Sequence, residues 1–430
     1  MTNALRIGLA GLGTVGGGVA ELLAHNAGPL GARAGKPLAL TAVSARDRKK
    51  RRKVHLNGVA WEDDALALAR RPDVDVVVEL IGGENGVAGA LVETALNNRK
   101  HVVTANKALL ARHGASLARL AEQKGVSLKF EAAIAGGIPI VKALRESLIA
   151  YEITAVRGIL NGTCNFILTE MERTGRPFPD MLAEAQKQGF AEADPALDVG
   201  GVDTAHKLAL LAALAFGTAP DLGAVTVKGI EDITPDDIAF AREFRCRIKL
   251  LGVARRGPSG IEQRVFPAMV RAGTPLADVE GSFNGIVIDM GKAGQFFFEG
   301  RGAGEGPTAS AVIADLVDVA RGSTGPAFGR PTAELLKLNA AAPDAHTSAY
   351  YMRFQVLDVP GVMAEISHRL AAEHISIESM IQRGRAPGEP VSIVMITHET
   401  AEGTLKRALK AIAASDKVFE RPTMIPMEAV

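Results

Sequence analysis

LRIGLAGLGTVGGGVAELLAHN, residues 5 to 26, is an apolar stretch that runs into glycines and resumes with the spacing of a helix. Residues 5 to 12 read as a short strand, because their apolar side chains are nearly continuous. From Val15 the apolar positions recur as on one face of a helix. Between the two, Gly11, Gly13 and Gly16 of GLGTVG fit G-x-G-x-x-G, where missing side chains let a pyrophosphate approach the backbone at a helix N-terminus. Alone the pattern is weak. Its place between a strand and a helix, with parallel strands beyond, favours a nucleotide site over a glycine-rich turn that binds nothing.

Further strands are expected at LALTAVSA (38–45), VDVVVELIGG (74–83) and KHVVTANK (100–107), separated by helical patterns such as GALVETALNNR and LARLAEQKG. Buried strands alternating with helices imply a Rossmann-type parallel sheet covered on both faces, over residues 1–135. At the end of the second strand, where an NAD-specific fold offers an acid, stand Ser44, Ala45 and Arg46, followed by RKKRRK from 48 to 53. Arg46 could meet a 2′-phosphate, while the rest of the run reads as a solvated basic surface. Lys107 in TANK follows the end of another strand, the edge at which such sheets hold their ligands, and so projects toward the reacting end of a cofactor.

The alternation stops at AGGIPI. From 136 to 304 the segments ITAVRGILNG, IEQRVFPAMV and GIVIDMGKAGQFFFEG read as strands of an α+β mixed-sheet domain, assigned to catalysis and dimerisation. A helix over 305–340, with Pro307 in its first turn, is expected to return to the first domain. After the linker LNAAAPDAHTSA, residues 348–430 read strand, helix, strand, strand, helix, strand, a ferredoxin-like βαββαβ module of its own.

At 430 residues the chain exceeds one ordinary domain, and 47% hydrophobic with 23% charged residues excludes a disordered chain. A formal net charge of +1 supplies no long-range field for nucleic acid or an anionic membrane, so small molecules are the expected partners. Cys164 and Cys246 make no disulfide framework, and with no signal segment or membrane-length apolar run the expected location is cytoplasmic. Nine histidines lie scattered without metal-ligand spacing, so a catalytic zinc is not expected.

GFAEADPALDVGGVDTAHK (189–207) gathers Glu192, Asp194 and Asp198 on a glycine- and proline-broken loop just before Asp203 and Lys207. The last two, at i and i+4, share a helix face with the acid N-terminal, the favourable order. Most such pairs are surface salt bridges worth about 0.3 to 0.5 kcal/mol. Here the apolar helix behind them and the density of carboxylates call for cations, which a substrate ammonium and Lys207 would supply. Cys164 in NGTCNF lacks the companions of a nucleophile and reads as buried filler.

Taken together, GLGTVG, VTANK, FEAAIAGGIPI, GILNGTCNFIL, GFAEADPALDVGGVDTAHK and GPTASAVIAD resemble homoserine dehydrogenases in order and spacing over residues 5 to about 340. VLDVPGVMAEI with ISIESM resembles an ACT regulatory domain, which is the βαββαβ module. The resemblance implies NAD(P)(H)-dependent interconversion of L-aspartate 4-semialdehyde and L-homoserine, as the monofunctional form, since no aspartate-kinase segment is present. It implies that Glu192 holds the substrate ammonium, helped by Asp198 and Asp203, with Asn161, Gly162 and Thr163 nearby. Lys207 would be the acid/base at the C4 oxygen and Lys107 would sit between nicotinamide and substrate. Which lysine transfers the proton stays open, and burial is expected to lower its pKa toward working pH. Cofactor contacts are expected from Gly11, Gly13, Thr14, Val15, Gly16, Arg46, Ile81, Gly82, Thr104, Lys107, Gly304 and Glu305.

The resemblance also implies a Na+ or K+ site of backbone carbonyls at Glu131, Ile134, Gly136 and Ile138. It implies an amino-acid effector site near Asp358, Pro360 and Gly361, with feedback by L-threonine or simple pairing as its use, and a homodimer or homotetramer. Two rivals remain: a semialdehyde dehydrogenase acting through Cys164, and a nucleotide- and amino-acid-sensing protein without turnover.

Overall fold

The computed structural model describes residues 4–52, 55–382 and 389–429, so Lys53 of the basic run lies outside the described residues. The first domain runs β1 (Leu5–Ala10), α1 (Thr14–His25), α2 (Ala27–Ala34), β2 (Leu38–Ser44), β3 (Ala60–Glu62) and α3 (Ala65–Arg70). It continues with β4 (Val76–Glu79), α4 (Val87–Asn97), β5 (His101–Thr104), α5 (Lys107–Lys124) and β6 (Leu128–Lys129). The strands lie in the order β3-β2-β1-β4-β5-β6, and all pair parallel. Val76, Val77, Val78, Val102 and Val103 are wholly buried, the mark of a sheet covered on both faces. Strand order reverses between β1 and β4, which opens a crevice at their carboxyl ends.

The second domain contains α6 (Ile140–Lys142), β7 (Ala155–Ile159), α7 (Gly162–Thr174), α8 (Phe178–Lys187), α9 (Ala196–Val199) and α10 (Val202–Phe216). After β8 (Thr226–Val227) and α11 (Pro235–Glu243) come the long strands β9 (Cys246–Gly257) and β10 (Gly260–Arg271), then β11 (Phe283–Asp289) and β12 (Gln295–Arg301). α12 (Glu305–Ala320) returns to the first domain. A Cβ at Gly18 of α1 would lie 2.9 Å from Glu305 Cγ and 3.3 Å from Ala309 Cβ, so a glycine is needed where these helices cross. The return helix expected over 305–340 stops at Ala320: Gly322 takes φ +81°, and Pro326 and Pro331 prevent the helix from resuming.

The last segment contains β13 (Thr347–Ser348), β14 (Tyr350–Leu357), α13 (Val362–Ala372), β15 (Ile377–Gln382), β16 (Pro390–Thr397), β17 (Thr400–Ala401), α14 (Glu402–Ile412) and β18 (Thr423–Glu428). The expected βαββαβ order is present, with the sheet arranged β18-β14-β16-β15. It is not a module apart. β18 also pairs parallel with β10, placing Met269 opposite Met427, so both sheets form one continuous surface from β12 to β15. Buried charges seat this joint. Glu428, 3% exposed, accepts from Arg157 Nε at 2.9 Å and from Arg255, while the wholly buried Asp237 accepts from Arg353 Nε at 2.7 Å and Tyr351 Oη at 3.0 Å.

Candidate active site

The glycine turn is shaped as the fingerprint requires. Gly11 has φ +95°, and a Cβ there would fall 2.5 Å from Leu80 O; a Cβ at Gly16 would strike Gly11 O. Around Gly13 there is nothing within 4 Å of a would-be Cβ, and no side chain caps the N-terminus of α1, which Thr14 and Val15 begin. These residues fit a dinucleotide pyrophosphate, whose charge the open helix end would meet. Arg46 is exposed, two residues past Ser44, whose carbonyl accepts the Gly11 N–H at 2.9 Å. The following basic run is not simply solvated: Arg48 and Arg52 lie over the Trp61 ring at 5.7 and 5.2 Å, and Arg52 donates to the carbonyls of Asp47 and Lys50. A guanidinium gains more from an aromatic face and two carbonyls than from water alone.

Beyond the sheet, α10 is buried almost all round, and Asp203 and Lys207 lie on one face of its first turns, each 8% exposed. Asp203 is the hub. Its Oδ2 accepts from Lys207 Nζ at 2.8 Å and from Asn161 Nδ2 at 3.0 Å, and its Oδ1 faces Lys107 Nζ at 2.9 Å. Lys107, the first residue of α5, thus reaches across from the nucleotide domain. Lys207 also donates to Leu160 O at 2.7 Å. Burial would raise the Asp203 carboxyl, but the ammonium groups of Lys207 and Lys107 outweigh it and hold the group far below the usual carboxylate range.

Lys107 corrects an expectation. Asp203 raises its pKa, outweighing desolvation, with smaller help from Asp198 and Glu192, so burial does not bring this lysine down toward neutrality. Asp198 is pushed up by burial and by Asp203 despite the Asn161 Nδ2 bond at 2.8 Å. Asn161 also caps α7 through the Cys164 N–H at 2.8 Å, and so ties both acids to one helix end. Thr163 Oγ1 is committed to Phe190 O at 2.7 Å, and a Cβ at Gly162 would strike Ser282 O at 2.6 Å. Glu192 stands exposed on the loop before α9, facing the cleft electrostatically without packing into it. Asp194 Oδ1 accepts the Ala196 N–H at 3.2 Å, just ahead of α9. Cys164 is wholly buried with its thiol pushed well up by desolvation and the nearby acids, and it donates to Asp198 O at 3.2 Å.

Three groups here escaped the sequence reading, two side chains and one backbone carbonyl. His206, held down by desolvation, feels the opposing charges of Asp203 and Lys107. The Leu160 carbonyl leaves no side-chain signal. Glu79, buried at the end of β4, accepts the N–H groups of Ile81 and Gly82. Thr104 is wholly buried and its hydroxyl is engaged by Glu79, which leaves only its backbone for a cofactor. Gly304, at φ +112°, precedes α12, and Glu305 begins it against Gly18.

Three family models match in succession. "Homoserine dehydrogenase, NAD binding domain" covers residues 11–131, "Homoserine dehydrogenase" covers 139–317 and "ACT domain" covers 350–416. The homoserine dehydrogenase of Neisseria gonorrhoeae is 44% identical to this chain over 432 residues, which span 99% of each. The chain belongs to the homoserine dehydrogenase family. The homoserine dehydrogenase of Pseudomonas aeruginosa is 42% identical over 96% of each chain. A solved homoserine dehydrogenase from Thiobacillus denitrificans superposes with a TM-score of 0.94 at 41% identity, covering 99% of this chain and 98% of its own. As a homoserine dehydrogenase the protein is an NAD(P)-dependent oxidoreductase acting on a CH–OH group, interconverting L-aspartate 4-semialdehyde and L-homoserine on the route to threonine, methionine and isoleucine. The chain also carries an ACT regulatory domain after its catalytic segment. Among the described residues no helix is long and apolar enough to cross a membrane.

Proposed function

We propose that Lys207 is the proton donor to the substrate oxygen and that Lys107 holds the substrate against the nicotinamide. The shared carboxylate of Asp203 is the observation that carries this reading: it pairs with both ammonium groups and makes them converge on one point. An ammonium has three N–H bonds. Lys207 spends two on Leu160 O and Asp203, leaving one for the aldehyde oxygen; Lys107, with 39% of its side chain exposed, keeps two.

Bound nicotinamide supplies the hydride that reaches C4 of the semialdehyde. As charge develops on the C4 oxygen, the Lys207 N–H stabilises it and then transfers its proton, giving the alcohol of homoserine; in the reverse direction the neutral amine takes the hydroxyl proton back. Glu192 and Asp198 receive the substrate ammonium, and Asn161 orients Asp198 for it. With its thiol buried and donating to a carbonyl, Cys164 is badly placed to attack an aldehyde, which disfavours the thiol-based rival.

Arg46 receives the 2′-phosphate of NADPH, and the sequence offers no acid there for the NAD ribose. Glu131, Ile134, Gly136 and Ile138 line the turn proposed for Na+ or K+. Its tight fold suits a carbonyl cage, since a Cβ at Gly136 would strike Gly302 O, although the Ile138 carbonyl already accepts the Ile140 N–H at 2.8 Å. Asp358, Pro360 and Gly361 form the turn between β14 and α13, with Gly361 at φ +92°, where an amino-acid effector such as L-threonine would bind. A cytoplasmic homodimer or homotetramer is the form we favour, with the exposed Phe283 and Phe297, which share one face of β11 and β12, as the surface to be covered. The deciding experiment compares pH–rate profiles of Lys107→Ala and Lys207→Ala. Loss of the ionisation of the donor in Lys207→Ala alone supports the assignment, and its loss in Lys107→Ala alone reverses the two roles.

A further inference from the structure

Glu79 ends β4 with no exposure, and its carboxylate forms no salt bridge among the described residues. A lone buried carboxylate costs several kcal/mol unless hydrogen bonds replace its water. Three do. Oε1 accepts the Ile81 N–H at 2.8 Å and the Gly82 N–H at 2.9 Å, and Oε2 accepts the Thr104 hydroxyl at 2.6 Å. Ordinary strand packing requires no charge at this point.

The contacts continue in a chain. Thr104 Oγ1 accepts the Asn106 N–H at 3.0 Å, Asn106 Oδ1 caps α5 through the Leu109 N–H at 3.1 Å, and Asn106 Nδ2 returns to Gly83 O at 2.7 Å. The next residue is Lys107, whose ammonium meets Asp203 at 2.9 Å. At the other end, residues 80 to 83 back the dinucleotide turn: Leu80 N donates to Ala10 O at 2.8 Å, and Gly82 and Gly83 take φ +81° and +93°. One carboxylate therefore grips both the loop beside the cofactor crevice and the start of the helix that carries Lys107.

We propose that Glu79 is a positioning residue for the hydride transfer, locking the 80–83 loop to Lys107 through Thr104 and Asn106 so that cofactor seating and lysine placement are set together. The proposal rests on Lys107 working at the substrate. A carboxylate suits the task because it only accepts, and all three groups around it donate. In Glu79→Gln the carbonyl can serve Ile81 and Gly82, but the amide then points an N–H at Thr104, whose own hydroxyl proton loses its acceptor. The loop side should survive and the lysine side loosen. Thr104→Val cuts the same link from the other end.

The test measures kcat and KM for L-aspartate 4-semialdehyde, and NADPH affinity through the cofactor's own fluorescence, in Glu79→Gln, Thr104→Val, their double variant, Lys107→Ala and Thr104→Val/Lys107→Ala. Misplacing a reacting group by a fraction of an ångström to an ångström predicts a loss of about 10- to 100-fold in kcat. This loss is expected in both single variants, with NADPH affinity within about twofold of wild type. The Glu79→Gln/Thr104→Val double should be no worse than either single, and Thr104→Val should cost nothing further once Lys107 is gone. Equal losses from Thr104→Val with and without Lys107 would overturn the positioning role while leaving Lys107 in place, as would unchanged kcat in either single variant. Full activity in Lys107→Ala would overturn the reading beneath the proposal and the proposal with it.

Discussion

Replacing Asp203 by asparagine removes the charge that two lysines share while keeping its shape. The pair with Lys207 is the buried one, each side chain 10% exposed at 2.8 Å, and removing one charge from such a pair costs about 3 to 5 kcal/mol. The amide oxygen can still accept from Lys207, and a hydrogen bond to a charged group returns about 1.5 to 3 kcal/mol. The net loss is therefore about 2 kcal/mol. Lys107, 39% exposed, adds little to stability because solvent screens it, but its pKa should fall, since Asp203 is the largest cause of its elevation. For stability the sign follows from the depressed Asp203 pKa. Its contribution is complete above the ordinary carboxylate pKa of about 3.9 and is lost as pH falls toward the native value. Urea unfolding of wild type and Asp203→Asn should thus differ by a constant margin from about pH 5 to 9 and converge in stronger acid. Activity should drop about 10²- to 10⁴-fold, the span of a lost acid–base arrangement. Identical stability together with an unmoved basic limb of the pH–rate profile would refute the shared-carboxylate geometry.

Three other outcomes follow from the same contacts. Cys164→Ser should retain most activity, because a hydroxyl can still donate to Asp198 O; complete loss, with the fold intact by circular dichroism, would restore the thiol mechanism. Arg46→Ala should raise the KM for NADPH by roughly tenfold and leave that for NADH nearly unchanged, as removal of one phosphate contact requires. Asp315 is fully enclosed, accepts the Glu131 N–H at 2.8 Å and is pushed up to about 7, first by burial and then by the Glu131 carboxylate. Its native pKa lies above the unfolded one, so it weakens the fold progressively as pH rises from about 4 to 7. Asp315→Asn should therefore gain stability over wild type at pH 8 relative to pH 5, by a few kcal/mol at most; an equal difference at both pH values would show that Asp315 does not titrate there.

What the sequence determined by itself was whatever local chemistry enforces. Gly11 and Gly16 are legible because only glycine survives a close backbone approach, and the buried valines of β4 and β5 because a doubly covered strand has no polar face. Asp203 and Lys207 are legible because four residues make one helical turn. The tertiary structure decided the rest, where partners are distant in the chain or carry no signature. Lys107 meets Asp203 from another domain, and that contact reverses the expected direction of its pKa. Glu79 finds Thr104 twenty-five residues away. Strand β18 joins the βαββαβ sheet to the catalytic sheet through a backbone ladder and the Glu428 ion pairs. An electrostatic field or a sheet edge is the sum over whatever folding brings within a few ångströms, and that set of neighbours is a property of the packed chain, not of any segment within it.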